Sequence, residues 1–143
     1  MNVRQILRNK PSGFISVPPE ARITTVISIL AERCIGAVMV VDSGRLVGVL
    51  SERDIVRSLA EHAQETLDMT AAALMTPNPT TGTPETTVEE AMEVMTNGHF
   101  RHVPIMENGA LIGLVSIGDV VKARIDQSQL EVDSLRTYVT GSV

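Results

Sequence analysis

The chain has 143 residues, of which 43% are hydrophobic, 20% charged and 2% aromatic, and its net charge is −5. That length makes one ordinary domain able to bury roughly two-thirds of its unfolded surface, so neither a disulfide nor a metal is needed to fold it. The acidic balance argues against a nucleic-acid polymer as partner, and with Phe14, Phe100 and Tyr138 as the whole aromatic complement there are no stacking platforms for single strands.

No segment approaches the ~20 apolar residues of a membrane span, and no polybasic run would hold the chain on an anionic membrane. The N-terminus, MNVRQILRNK, is basic and amphipathic and lacks the apolar stretch of a signal peptide. Cys34 is the single cysteine, which leaves no internal disulfide. A cytoplasmic protein without membrane attachment is the expectation.

In chain order, residues 2–8 predict a helix, followed by a loop at Lys10-Pro11-Ser12-Gly13 and a short strand at Ile15. Ile23, Val26, Ile27 and Leu30 recur at helical spacing. Apolar runs 37–42 and 45–50, joined by Asp42-Ser43-Gly44, predict a hairpin. A helix starts near Ser51, and 62–75 looks helical. Pro77, Pro79 and Pro84 then break the chain around a short strand at Thr80. Val88, Ala91, Met92 and Met95 give the next helix, with Asn97-Gly98 as its C-cap. Runs 102–107 and 110–115, joined by Glu107-Asn108-Gly109, predict a second hairpin, and another helix starts near Ser116. Residues 127–138, with Leu130, Leu135 and Tyr138 as sparse apolar positions, predict a C-terminal helix.

The second series repeats the first. Residues 35–57 align without a gap on 100–122, Gly44 on Gly109, Gly48 on Gly113, Ser51 on Ser116 and Asp54 on Asp119. A fixed offset of this kind marks repeated structural units. The boundaries are 1–62 for the first unit with its N-terminal helix, 63–126 for the second with its own leading helix, and 127–143 for the C-terminal helix and tail.

Ser51-x-x-Asp54 and Ser116-x-x-Asp119 admit two readings. In one, each is a capping box at a helix start. In the other, the helix N-terminus draws a phosphate, the hydroxyl adds a donor, and the carboxylate accepts from a ribose diol. Arg53 adds a cation to the first helical turn, where cations are disfavoured unless an anion is bound; its counterpart is Gly118. Arg101 and His102 head the strand before Val103-Pro104 and can give a local positive field and a pH-sensitive group. Lys10, beside a Ser-Gly turn, can close over phosphates or belong to a plain loop. Cys34 reads as inert packing. The three histidines lack metal-ligand spacing, the glycines fit no phosphate-loop pattern, and no nucleophile–base arrangement stands out.

The motifs Gly48-Val49-Leu50-Ser51-Glu52-Arg53-Asp54 and Gly113-Leu114-Val115-Ser116-Ile117-Gly118-Asp119, recurring at one offset, resemble those of a stand-alone, bacterial-type tandem pair of CBS (cystathionine β-synthase) domains. The likeness covers about residues 3–126. Val103-Pro104-Ile105 matches the family's proline-bearing strand, whereas Val38-Met39-Val40 lacks the proline. The resemblance implies an α/β fold of two β-α-β-β-α units related by a pseudo-twofold axis, with flanking terminal helices. It implies a non-enzymatic regulatory module that binds an adenosine-bearing ligand (AMP, ADP, ATP, NAD(H) or S-adenosylmethionine) in the cleft between units, needs no metal, forms a homodimer and transmits ligand occupancy to a partner protein or to its own dimer. Carried onto this chain, Asp54 and Asp119 face ribose. Ser51, Ser116, Arg53, Arg101, His102 and Lys10 face phosphate. Ile15, Ala37, Val38, Thr80, Val103 and Pro104 line the base. The rival is a ligand-independent interaction protein whose motifs are helix caps alone.

Overall fold

The computed structural model describes residues 1–10 and 13–141; Pro11, Ser12 and the side chain of Tyr138 lie outside the described residues. The elements are α1 (Val3–Asn9), β1 (Ser16–Val17), α2 (Ile23–Arg33), β2 (Ala37–Asp42), β3 (Arg45–Ser51), α3 (Glu52–His62), α4 (Ala71–Leu74), β4 (Thr76–Pro77), α5 (Val88–Gly98), β5 (His102–Glu107), β6 (Ala110–Ser116) and α6 (Ile117–Gly141). A 3-10 helix over Ala63–Asp68 links α3 to α4. The expected two-unit α/β architecture is present.

Both hairpins close with left-handed pairs, Ser43-Gly44 at φ 51° and 81° and Asn108-Gly109 at 53° and 79°. Two consecutive positive φ values give the turn whose twist matches paired strands. The register shifts once in each hairpin, at Val40/Val41 and at Ile105/Met106, so the repeat extends to an irregularity. It fails at the first short strand. β1 pairs in parallel with β2, whereas the second unit keeps only a parallel bridge between Gly82 and Ile105.

The lead-in segments cross. Helix α1, part of the first unit by sequence order, packs on the second: Val3 and Ile6 share a core with Val88, Met95, Val103, Val115 and Val120. The Val3 and Arg4 N–H groups donate to the Thr86 and Pro84 carbonyls at 2.8 and 3.0 Å. Arg4 pairs with Glu85 and Glu107 at 2.8 and 2.9 Å. Reciprocally, Met69, Ala71, Leu74 and Met75 pack with Ile23, Val26, Leu30, Val38 and Leu50 of the first unit, and β4 pairs with β3. Gly48 and Gly113 make room for this, because a Cβ at either would run into Met75 or Leu7. A third cluster, Ala37, Met39 and Val49 with Leu111 and Leu114, lies between the two sheets. Side chains alternate across a strand, so β2 gives Val38 and Val40 to its helices and Ala37 and Met39 to the other unit.

Several sequence expectations change. The helix expected over 62–75 is instead the 3-10 helix and the short α4, parted at Met69 and Thr70, and no strand forms at Thr80. The C-cap of α5 is His99, at φ 57°, with its N–H bonded to the Met95 carbonyl, not Asn97-Gly98. Gly98 is helical, and its missing side chain is needed for another reason, the Phe100 ring lying where a Cβ would stand. The helix expected over 127–138 is not separate either. α6 runs unbroken from Ile117, since beyond Gly118 no glycine or proline interrupts it before Gly141.

Candidate functional site

Both S-x-x-D motifs form capping boxes. At α3 the Ser51 N–H and hydroxyl donate to Asp54 Oδ2 at 2.9 and 3.0 Å, and the Asp54 N–H donates back to Ser51 Oγ at 3.3 Å. At α6 the Ser116 N–H donates to Asp119 Oδ2 at 2.9 Å and the Asp119 N–H to Ser116 Oγ at 3.2 Å. Each aspartate thus spends Oδ2 on its cap. The Glu52 and Ile117 N–H groups, next in line, donate to the Gly36 and Arg101 carbonyls at 2.9 and 2.8 Å.

A cleft of about 290 Å³ opens at the first of these helix starts, near the lower end of small-molecule sites, about 300–1,000 Å³. Its walls come from both units: Ser51, Arg53, Asp54 and Arg57 at the head of α3, Thr76 and Asn78 to Thr80 after α4, and Gly98 to His102 at the corner into β5. Arg53 spans the gap, its Nη1 donating to the His99 carbonyl at 3.1 Å. Three arginines, Arg53, Arg57 and Arg101, therefore line one cleft of an acidic chain. Arginine is the side chain whose donors match a phosphate in bidentate fashion.

His102 sits against the first unit. A Cβ on Gly36 would fall 3.3 Å from its Nε2 and 3.4 Å from Glu52 Oε1. Burial lowers the His102 pKa, Lys10 and Arg101 lower it further, and Glu52 and Asp119 pull upward without cancelling the effect. The folded pKa thus lies below the unfolded value of about 6.5. The unfolded chain binds more protons in this range, so the contribution is full above the unfolded pKa and lost as pH falls through the folded one. Urea midpoints measured from pH 7.5 down to 5 are expected to fall more steeply for the wild type than for His102→Gln. Parallel pH profiles for the two proteins contradict this.

The structure thus brings Ser51, Arg53, Asp54, Thr80, Arg101 and His102 to one cleft. It does not bring the other sequence candidates there. Val38 and Val103 are buried in the two unit cores, Ala37 lies between the sheets, and Pro104 is buried. Ile15 packs on the first core, and its carbonyl accepts from the Met39 N–H at 3.0 Å. Ser116 and Asp119 belong to the other helix start, where Lys10 Nζ lies 3.0 Å from Asp119 Oδ2 and donates to the Leu114 carbonyl at 2.7 Å. Burial opposes ionisation of Asp119, but the Ser116 N–H and the Lys10 ammonium together outweigh it and lower the pKa. Cys34 is exposed, not packed inside.

Sequence reading missed Arg57, one turn after Arg53 on the same helix face, a spacing that could have exposed it. It also missed Glu52, Asn78 and Phe100. Phe100, one of the chain's three aromatic residues, lines the cleft. Among the described residues no cluster of His, Cys, Asp and Glu could hold a metal ion, and no helix is long and apolar enough to cross a membrane.

The profile of the CBS domain matches residues 3–61 and 71–126. The chain is 33% identical over 120 residues to the mitochondrial CBS domain-containing protein CBSX3 of Arabidopsis thaliana, covering 80% of this chain and 58% of that one. It therefore spans under two-thirds of that relative. The CBS-domain containing protein ATU1752 of Agrobacterium tumefaciens superposes with a TM-score of 0.84 at 39% identity, over 87% of this chain and 99% of that one. PAE2072 of Pyrobaculum aerophilum, solved in complex with AMP, gives 0.73 at 30% identity over 83% and 89%. With two profile matches along nearly its whole length and both motifs placed at helix starts, this chain belongs to the CBS-domain family, as a tandem pair.

Proposed function

We propose that the protein is an adenine-nucleotide sensor whose principal site is the cleft at Asp54. The observation that carries this reading is the meeting, in one cleft of about 290 Å³, of a capped helix start and three arginines contributed by both units. The Asp54 carboxylate accepts from the ribose hydroxyls. Arg53, Arg57 and Arg101 take the phosphate with the Ser51 hydroxyl, and Thr80, Val49 and Phe100 border the base. AMP, held by PAE2072, is the first ligand to test; ATP and NAD(H) differ from it in what extends past the α-phosphate.

Regulation follows from the placement of these groups. Ligand phosphate bridges Arg53 of the first unit and Arg101 of the second, so binding favours one arrangement of the units over another. The site needs no metal and no catalytic group, and a partner protein reads the change. A cytoplasmic setting suits such a ligand. Two copies meet through exposed apolar side chains of α3, α5 and α6, among them Val56, Leu59, Met92, Ile117, Val121 and Ile125. Sedimentation equilibrium should give twice the chain mass; a monomer at tens of micromolar contradicts it.

Protein stripped of bound nucleotide should melt several degrees higher in millimolar AMP, because a ligand that binds only the folded state stabilises it. Absence of any shift with AMP, ATP and NADH rejects the reading. The cap-only alternative draws support from the two formed capping boxes, and Asp54 variants separate the two.

A further inference from the structure

The two carboxylates of the repeat are not equally available. Asp119 Oδ2 already accepts from the Ser116 N–H at 2.9 Å and lies 3.0 Å from Lys10 Nζ. The same ammonium donates to the Leu114 carbonyl at 2.7 Å. The Lys10 and Asp119 side chains keep 28% and 22% of their exposure, so the pair is largely shielded from water. Leu7 meets Gly113 as Met75 meets Gly48, so the place matching Lys10 in the first unit is held by Asn78, which lines the cleft with Asp54 and carries no charge. The phosphate side differs as well, for Gly118 stands where Arg53 does.

A ribose diol donating to Asp119 has to compete with a cation. To yield, Lys10 must give up a charge-assisted contact, the stronger class of hydrogen bond, together with its bond to Leu114. A partly buried ammonium left without partners is costly. Nothing comparable opposes a ribose at Asp54, whose Oδ2 is engaged only by its own cap.

Resting on the adenine-nucleotide reading above, we propose that Lys10 is an internal occupant of the second site: it holds Asp119, and each chain consequently takes one nucleotide, at Asp54. Lys10 then acts as the specificity-determining residue for stoichiometry. It ties the segment after α1 to the second unit, while the first unit's cleft remains the sensor.

Isothermal titration of the full chain with AMP tests this. The wild type should bind one equivalent per chain, and Asp54→Ala none. Lys10→Met, which removes both the charge and the donor, should bind two equivalents, the second at least tenfold tighter than any residual second binding to the wild type. Lys10→Gln, which keeps a donor for Leu114 but no charge, should do the same if Lys10→Met folds poorly. Adding Asp119→Ala to Lys10→Met should return the count to one. Two equivalents on the wild type overturn the proposal and leave the nucleotide reading intact. So does one equivalent on both folded Lys10 variants, or retention of the wild-type equivalent by Asp54→Ala. No AMP bound by the wild type or any variant overturns the proposal and the reading on which it rests.

Discussion

Asp54→Ala should abolish measurable AMP binding, weakening it by at least about 100-fold. Two ribose hydroxyls donating to an ionised carboxylate are each worth roughly 1.5–3 kcal/mol, and every 1.4 kcal/mol is about tenfold in affinity. The same substitution also removes a cap, because the Ser51 N–H loses its acceptor at Asp54 Oδ2; that costs about 0.5–2 kcal/mol of stability with or without ligand. Alanine alone therefore mixes two effects. Asp54→Asn separates them. Its side-chain oxygen can still accept from Ser51, so the cap survives, while the charge and one ribose acceptor are gone. The expected result is a near-wild-type urea midpoint without AMP and no increase in melting temperature with it. If Asp54→Asn binds AMP like the wild type, Asp54 is a cap and nothing more.

Much of this site is legible in the sequence because it is built from local signals. Ser51, Asp54 and Arg53 lie within one helical turn, and the repeat announces Ser51 and Asp54 a second time as Ser116 and Asp119. The turns Ser43-Gly44 and Asn108-Gly109 declare themselves by residue type in the same way. What sequence leaves hidden depends on alternation and on distant packing. Val38, Val103 and Pro104 sit in the right strands to touch a base, yet the pleat sends Val38 and Val103 into the unit cores. Phe100 aligns with Ile35, so the repeat gives no hint that one member of the pair is a cleft wall. Lys10 looks like a loop cation seeking phosphate. Its carboxylate partner is 109 positions away in sequence, and no local rule links Lys10 to Asp119.

The crossing of the lead-in segments is the largest feature that sequence order conceals, and it makes a sharp expectation. Ile6 is 6% exposed and sits in the core of the second unit. Ile6→Ala should therefore cost about 2–5 kcal/mol, a large share of a total of about 5–15 kcal/mol. The damage should appear far from the mutation in sequence. Hydrogen exchange is expected to quicken first at β5 and β6, around Val103, Ile105 and Val115, where the neighbours of Ile6 lie, because local opening follows lost packing. Leu74→Ala, on the segment leading into the second unit, should act in reverse and loosen β2 and β3, whose Val38, Val40 and Leu50 share its cluster. Earlier exchange at β2 and β3 in Ile6→Ala contradicts the crossed arrangement. The outcome bears on signalling as well as stability. Each unit's core is completed by a segment leading into the other, so neither unit keeps a full core if its neighbour unfolds. On the proposed reading, a ligand held between Arg53 and Arg101 would act on two units already joined through α1 and α4.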